Sequence, residues 1–552
     1  MAMDDKDLEA VYLDEMQALE RFRIAYAGAH PNVPLHRDDP DVARMVEAMA
    51  FFSARARRAA STRLDDALVR LFRATFDELL RPVPSACLFK AKANNRYVEV
   101  ADLPSETDVI LRLPSEGPIG EDRQYRFSTL RPLRLPAARL DAVDTLRRGP
   151  LGTRITLRFE SRVPRNEAVG LLPLHVNHLG DFAASNQILH ALETNLVGVS
   201  IVYDARASAE TIGLPCKVRF GAPSLDDPRG EPIANALERE RLYFRFPQQA
   251  QFIEIATPES AAPWSRFTIC IDVGPKWPSS LRLSAEMLHL GVVGAVNRIR
   301  DFAGMLDENG TKFRHPISSQ VTVGGMRPMA ILSVNRITKD GFSPLENGSI
   351  RGAQAAWEGT ITGTLNDRRA FVEVALPGAF EKPEQLAVDA YWFQPELNDI
   401  DPLDLEPSLA GRFVEGLEWS LLSGITKTIA SPFESDRESV LRLLAMRQEP
   451  EMRTEDMRFL LRTLSADAQV PFARFVDALS KVTTASKPFA RHASGLKQVI
   501  TAEFEGLDSS STPFVDTFGQ ALTRVLRAWA PQEVVEVNIV LRNLDLRRSY
   551  TP

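Results

Sequence analysis

Cysteine is scarce in this chain. Cys87, Cys216 and Cys270 are the only three in 552 residues. They stand far apart and cannot all pair, which fits free thiols buried in a reducing cytoplasm. An excess of positive charge is missing too: 66 Lys and Arg face 73 Asp and Glu, for a net charge of −7 and a pI near 5.8. A polyanion-binding protein needs the opposite field, so no nucleic-acid partner is expected. No apolar run approaches the ~20 residues of a membrane-spanning helix. The stretch Leu290 to Val296 is among the longest, and no direct membrane insertion is expected. The opening MAMDDKDLEAV is acidic where a secretory leader would be basic. These absences together lead to the expectation of a soluble, cytoplasmic chain.

Catalytic patterns are missing as well. There is no HExxH, phosphate loop, GxGxxG or GxSxG. Eight histidines are scattered. His175 and His178 lie three apart on an expected strand, which places their rings on opposite faces, with His190 on the helix that follows. They read as polar core or surface residues, since a metal site needs convergent ligands. Asp399, Asp401, Asp404 and Glu406 lack the glycine and closing glutamate of an EF-hand and read as a proline-stiffened linker. Arg55, Arg57, Arg58 and Arg63 read as a solvated helix face. No catalytic, cofactor-binding or metal-binding residue is assigned, no cofactor is expected, and the chain is not expected to be an enzyme.

What is present is pattern. The 44% hydrophobic and 25% charged residues are ordinary for a well-packed protein, and the length exceeds what one core supports, so two to four domains are expected. The organising stretch runs from Asp39 to Ser85. Asp39 stands at an N-cap position and Pro40 at the first helical position. Val42, Met45, Val46, Met49 and Phe52 then recur with the spacing of one helical face. After Arg55 to Arg58 a second series follows: Leu64, Leu68, Leu71, Phe72, Phe76 and Leu79. Pro82 and Pro84 stop it. This is one long helix or two joined ones. Residues 5–27 form a further amphipathic helix, with Leu8, Val11, Tyr12, Met16, Leu19, Phe22 and Tyr26 in register. Such a helical unit can scarcely fill a core alone, so its stripes are expected to dock elsewhere.

From Ser85 the period changes from 3.6 to 2. Strands are expected at 96–100, at 108–113, and at 153–159, where Ile155, Leu157 and Phe159 alternate with a wet face of Arg154, Thr156 and Arg158. Residues 114–150 read as irregular between them. Residues 172–204 read as strand, helix (181–196) and strand. Further strands are expected at 265–274, 329–338 and 368–376, helices at 409–428 (Phe413, Leu417, Leu421, Leu422), 436–447 and 471–482, and a closing strand–helix–strand at 496–504, 512–530 and 533–541. The fold class is therefore α+β multidomain. It comprises an N-terminal region of long helices (1–84), a first β-rich α+β domain (85–265), a second β-rich domain (266–400) and a C-terminal α+β domain (401–552). The central sheets are expected to be antiparallel and sandwich-like.

Five passages, in order, carry a resemblance. The first holds Asp39, Pro40, Val42, Arg44, Glu47, Phe51, Ala54, Arg55, Leu79, Leu80, Pro82, Pro84 and Ser85. The second holds Leu172, Leu174, Val176, Gly180, Asp181, Leu189, Leu192, Leu196, Val199 and Ile201. The third holds Leu242, Tyr243, Phe244, Phe246, Pro247 and Phe252, the fourth Asn297 and Phe302. The fifth holds Phe518, Gly519, Leu522, Val525, Leu526 and Trp529, with Asn538 in the last strand. Together they resemble the TssF (VasA/ImpG) family, baseplate subunits of the type VI secretion system. One departure is the KVRFGAPSLDDPRGEP loop, which stands where the family has an acidic phenylalanine loop.

The resemblance implies a structural wedge subunit without bond chemistry, similar to contractile-phage baseplate proteins. It implies assembly with a TssG-like subunit, two copies of this chain per one, so that a second copy of this chain is itself a partner. It also implies contacts with the TssE and TssK subunits and with the spike protein, in a six-fold platform at the inner face of the cell envelope. The alternatives are a wedge protein of a contractile phage tail or extracellular injection particle, and an unrecognised β-rich enzyme. As candidate partner-interface residues, the helical stripes supply Leu8, Val11, Leu19, Phe22, Val42, Val46, Met49 and Phe52.

Overall fold

The computed structural model describes the chain except residues 1, 31, 33–38, 95, 115–121, 223–235, 260–262, 322–324, 340, 349–354, 377–378, 380, 412–413, 435, 450, 465–471, 490–495, 531–533 and 551–552. Phe413 and most of the loop that departs from the family pattern lie outside the described residues. The first of two compact units comprises Met1–Leu80 and Pro432–Gln448, and the second comprises Arg81–Ser431 and Glu449–Pro552.

The first unit is helical. Helices α1 (Ala2–Ala29) and α2 (Pro40–Phe76) are its long elements. The Asp39 carboxylate accepts the Asp41 N–H at 2.9 Å and so satisfies one of the orphan donors at the start of α2. The helix then runs unbroken through Arg55 to Arg58, a single helix and not two. It tightens into a 3₁₀ turn at Asp77–Leu80 before Pro82. Near its end Phe72 and Phe76 are buried, with ring centroids 5.4 Å apart, and Phe72 meets Phe433 at 5.1 Å. The helix Arg437–Gln448 contributes buried Val440, Leu443 and Met446, and Arg447 lies over the Phe76 ring at 5.1 Å. This helix falls within the 401–552 segment of the sequence, yet it belongs to the N-terminal unit.

The second unit is built from mainly antiparallel sheets, with Leu496–Phe504 and Val534–Leu541 paired in parallel. A sheet of Leu214–Pro215, Leu196–Tyr203, Trp264–Val273, Thr153–Arg165 and Arg139–Arg147 faces one of Lys217–Phe220, Phe252–Ala256, Leu171–Val176 and Leu288–His289. Their inward residues, among them Leu157, Ile201, Ile269, Leu174 and Ile255, share one core. Cross-strand partners Phe159 and Phe267 stack at 4.7 Å. Helix α3 (Phe182–Asn195) connects the two sheets and adds Ile188, Leu189 and Leu192 to that core. Asp181 caps it by accepting the Ala183 and Ala184 N–H groups. The strand Trp264–Val273 passes through position 265 and pairs on both sides with strands of earlier sequence.

A third sheet has the order Glu406–Leu409, Asp108–Leu113, Arg123–Thr129, Val292–Val296, Ala86–Ala93 and Leu417–Leu421. Between its strands at 292–296 and 406–409 the chain makes an excursion. There it builds two further sheets, centred on Glu384–Phe393 with Arg327–Thr338 and on Arg369–Ala375 with Ala356–Thr362, around a core of Trp357, Val372, Val388 and Trp392. The chain leaves at Asn297 and returns at Gln394, and these two residues lock together. Asn297, fully buried, donates to the Arg126 carbonyl at 2.7 Å and to Gln394 Oε1 at 3.2 Å, while its own carbonyl accepts the Gln394 N–H at 2.6 Å. Gln394 in turn accepts the Arg126 N–H and donates to the Gln124 carbonyl.

The C-terminal part packs the helix Thr512–Trp529 on a sheet of Leu479–Pro488, Leu496–Phe504, Val534–Leu541 and Leu546–Tyr550. Phe475 and Phe518 stack at 4.6 Å within it. Phe472 reaches Phe244 of α4 (Ala236–Arg245) at 5.4 Å, and Phe514 reaches Phe182 of α3 at 5.8 Å. Gly519 is required here: a Cβ would sit 2.2 Å from the Tyr550 ring.

Five expectations need correction. Residues 96–100 form no strand; the short strand there is Ala101–Leu103. The described residues of 409–428 are not helical; the strand Glu406–Leu409 ends there and the strand Leu417–Leu421 follows. Leu417 and Leu421 stand four apart, an even spacing that places them on one face of a strand as readily as on one face of a helix. At 471–482 only Ala473–Ala478 is helical before the strand begins at Leu479. The 114–150 region, read as irregular, contains the strands Arg123–Thr129, Leu133–Leu135 and Arg139–Arg147. The face of 153–159 read as wet is partly covered, with Arg154 and Thr156 buried. Arg154 forks onto Asp272 at 2.7 and 2.8 Å and donates to the Ser208 and Thr211 carbonyls, so the loop after Tyr203 seals that face.

Replacing Asn297 with Ala removes three buried hydrogen bonds: those to the Arg126 carbonyl and Gln394 Oε1, and the one from the Gln394 N–H. Urea unfolding should show a loss of about 2–4 kcal/mol, against less than about 0.5 kcal/mol for a surface Asn such as Asn309. Fully buried His175 gives a pH signature. Burial, only partly offset by its bond to the Gln248 carbonyl, pushes its pKa down to about 4. A depressed histidine stabilises the fold above the unfolded value, and that contribution is lost as pH falls toward the folded one. Unfolding free energy should therefore drop by about 2 kcal/mol from this residue between pH 7 and pH 5. His175→Gln should flatten the slope by that amount in parallel urea titrations.

Candidate assembly interface

The helical pair of the first unit is the place where this fold leaves apolar surface unpaired. Helices α1 and α2 pack along each other as a hairpin, and their register is set at Glu15. The Ser53 hydroxyl donates to Glu15 at 2.8 Å and Arg57 reaches it at 3.1 Å. The Ser53 hydroxyl first, then Arg57, holds the Glu15 carboxyl below the usual range. With Ala50 and Ala54 fully buried, small side chains line part of the inner face of α2.

The outer faces are different. Leu13, Phe22 and Ile24 of α1 and Met45, Met49, Phe51, Phe52, Leu64 and Leu71 of α2 are all exposed by 43% or more. Singly exposed apolar residues are ordinary, but nine on two helices form a surface that water covers poorly. Phe51 and Phe52 sit with ring centroids 6.0 Å apart, and Arg55 lies 5.7 Å from the Phe51 ring. Of the residues proposed from the stripes, Phe22, Met49 and Phe52 are exposed, while Leu8, Val11, Leu19, Val42 and Val46 are half-buried. The register at Glu15 sets Leu19 and Phe22 level with the Val46 to Phe52 stretch. Leu8 and Val11 lie farther along the pair. Leu13, Ile24, Met45, Phe51, Leu64 and Leu71 were not in that set. Their signal was visible: apolar positions on more than one face of the same helix, which a single packing partner cannot cover.

Other constellations have structural explanations. His175 and His289 are cross-strand partners, and His289 Nδ1 lies 2.8 Å from Lys90 Nζ; burial first, then Lys90, pushes the His289 pKa down to about 4. His178 lies beyond the strand end, where it bridges to Asp181. Asp401 caps a short 3₁₀ turn by accepting the Leu403 N–H. Among the described residues no group of three His, Cys, Asp or Glu is placed to hold a metal ion, and no helix is long and apolar enough to cross a membrane.

A sequence model of the family described as "Type VI secretion system, TssF" matches residues 3–352. The chain belongs to the TssF family. The matched segment contains the hairpin, both sheets of the first sandwich and the Asn297 crossing; the closing passage at 512–541 lies beyond it. The solved "type VI secretion system TssK-TssF-TssG baseplate subcomplex" contains a chain similar to this one, with a TM-score of 0.72 and 16% identity over 93% of this chain and 98% of that chain. A chain of "the baseplate complex from the type VI secretion system" is similar with a TM-score of 0.57 and 14% identity, over 98% of each chain. At such identities the likeness is one of fold. No curated protein matches the chain.

The family residues of this TssF-family chain sort accordingly. Asn297, Asp181 and Gly519 hold the fold together, and Ser85 exchanges hydrogen bonds with Thr428 inside it. Phe51 and Arg55 lie on the exposed helical surface. This division is testable by stability. Phe72→Ala should cost about 3–5 kcal/mol in urea unfolding, because it empties a buried site. Phe22→Ser with Phe52→Ser should cost less than about 1 kcal/mol and should lower binding of a hydrophobic dye to the native chain.

Proposed function

We propose that this protein is a non-catalytic structural subunit of a type VI secretion baseplate, acting from the cytoplasm. Its place in the TssF family supports this reading, and the observation that carries it is the helical hairpin with nine exposed apolar side chains. Such a surface is stable in water only when covered by a partner. Both chains similar in fold come from type VI secretion baseplate assemblies, one of them a TssK-TssF-TssG subcomplex, and we take TssG and TssK as the first partners of this chain.

In this reading the hairpin enters an intersubunit helix bundle. Leu8, Val11, Leu19, Phe22, Val42, Val46, Met49 and Phe52 supply apolar contacts to it. The resemblance supports a wedge of two copies of this chain with one TssG-like subunit, further contacts with TssE and the spike protein, and docking at the inner face of the envelope. Mechanically, the protein transmits rearrangement through interfaces when the sheath fires.

Co-expression with the neighbouring baseplate genes, affinity purification and mass measurement by light scattering test the proposal. The expected species is a stable complex with two copies of this chain per TssG-like subunit. Val46→Asp with Met49→Asp should abolish recovery of that complex while circular dichroism shows the chain still folded. A monomer that ignores every neighbour would sink the assembly reading. Recovery of the double variant at wild-type yield would remove the hairpin from the bundle.

A further inference from the structure

A cavity of about 360 Å³ lies within the second unit, walled by α3, α4 and the C-terminal helix Thr512–Trp529 and also lined by Arg131 and Gln249. Four arginines line it: Arg131, Arg219, Arg239 and Arg524. Three of the four have a carboxylate. Arg524 and Arg239 meet Glu240 at 2.8 and 3.3 Å, and Arg219 meets Glu254 at 3.0 Å. Arg131 has no carboxylate partner among the described residues, and its Nη1 is buried without an acceptor. Burial first, then the neighbouring charges of Arg219, Arg239 and Arg524, against the pull of Tyr243, push its pKa down to about 10.

Gln249 lines the same cavity. It is only 7% exposed, and its Nε2 donor is also buried without an acceptor. Two buried donors left unpaired at one cavity are unusual in a native fold, where such groups find partners. A buried guanidinium N–H without an acceptor is costlier still, because the group is charged. What both lack is the same thing: an anionic acceptor. A carboxylate offers two oxygens that match the planar guanidinium fork and leave a lone pair for the glutamine amide. A dianion fits less well, because Glu193 and Asp516 line the cavity too. Burial first, then Asp516, already raises the Glu193 carboxyl.

We propose that this cavity is a receptor for a single carboxylate group, held by Arg131 and Gln249. The carboxylate comes from an acidic side chain of a partner polypeptide or from a free small organic acid. The proposal stands on the cavity's own chemistry, and butyrate binding would survive failure of the assembly reading.

Thermal unfolding of the full-length chain, titrated with the monocarboxylate butyrate, tests it; inorganic phosphate and sodium chloride at matched ionic strength serve as comparisons. The melting temperature should rise saturably with butyrate and by more than with either comparison. Arg131→Met should remove the saturable rise, and Gln249→Leu should raise the half-saturating concentration about tenfold. Gln249→Leu carries the test if Arg131→Met does not fold. No rise beyond the chloride control, an equal rise in wild type and variants, or a saturable rise with phosphate alone would each overturn the proposal. The two sources separate in the co-expression assay. Loss of baseplate partners by a folded Arg131→Met chain identifies a partner's acidic residue, and wild-type recovery identifies a free acid.

Discussion

The β-rich body depends on one polar knot. Where the chain leaves the six-stranded sheet at Asn297 and re-enters it at Gln394, the two side chains exchange hydrogen bonds with each other and with the backbone of the strand that contains Arg126. Both residues are fully buried. A buried amide left half-satisfied would cost more than an apolar residue there, so the knot tolerates only the arrangement in which both crossings lie side by side. That constraint turns nearly a hundred residues of separate sandwich into an excursion from one sheet. Arg298, next in the chain, extends the lock: it meets Glu238 at 2.7 Å and lies 4.6 Å from the Tyr391 ring.

The helical unit follows the opposite logic. Its core is confined to the end of α2, where Phe72 and Phe76 meet Phe433 and the helix Arg437–Gln448. Along the rest of the hairpin a seam of small and half-buried residues and the Glu15 contacts join the two helices. In the assembly proposed above, a helix pair with so little of its own core gains stability from the partner that covers it.

The recurrent residues of the family pattern divide along the same line. Most are explained by local geometry: Asp39 and Asp181 cap helices, Gly519 makes room for Tyr550, and Ser85 and Asn297 hydrogen-bond inside the body. Their order along the chain made the family legible because each does a separate job at a fixed place in the fold. The arginine cavity was not legible in that way. Arg131, Arg219, Arg239, Gln249 and Arg524 are scattered over almost four hundred positions, and no spacing rule brings them together.

The sequence by itself determined the elements whose formation is a local matter. A cap at Asp39, prolines and a 3.6-residue stripe were enough for α1 and α2, and a helix between two apolar runs was enough for 171–203. Alternation marked the strands at 153–159, 265–274 and 368–376. The tertiary structure alone decided which segments meet. It made strands of 406–409 and 417–421, whose four-residue spacing suits either period, because the third sheet had two open edges to fill. It sent Arg437–Gln448 to the N-terminal unit and covered Arg154 with a distant loop. The physical reason is common to all of these. Periodicity records which face of an element avoids water, but which other surface covers that face depends on hydrogen-bond partners and apolar area supplied from far along the chain.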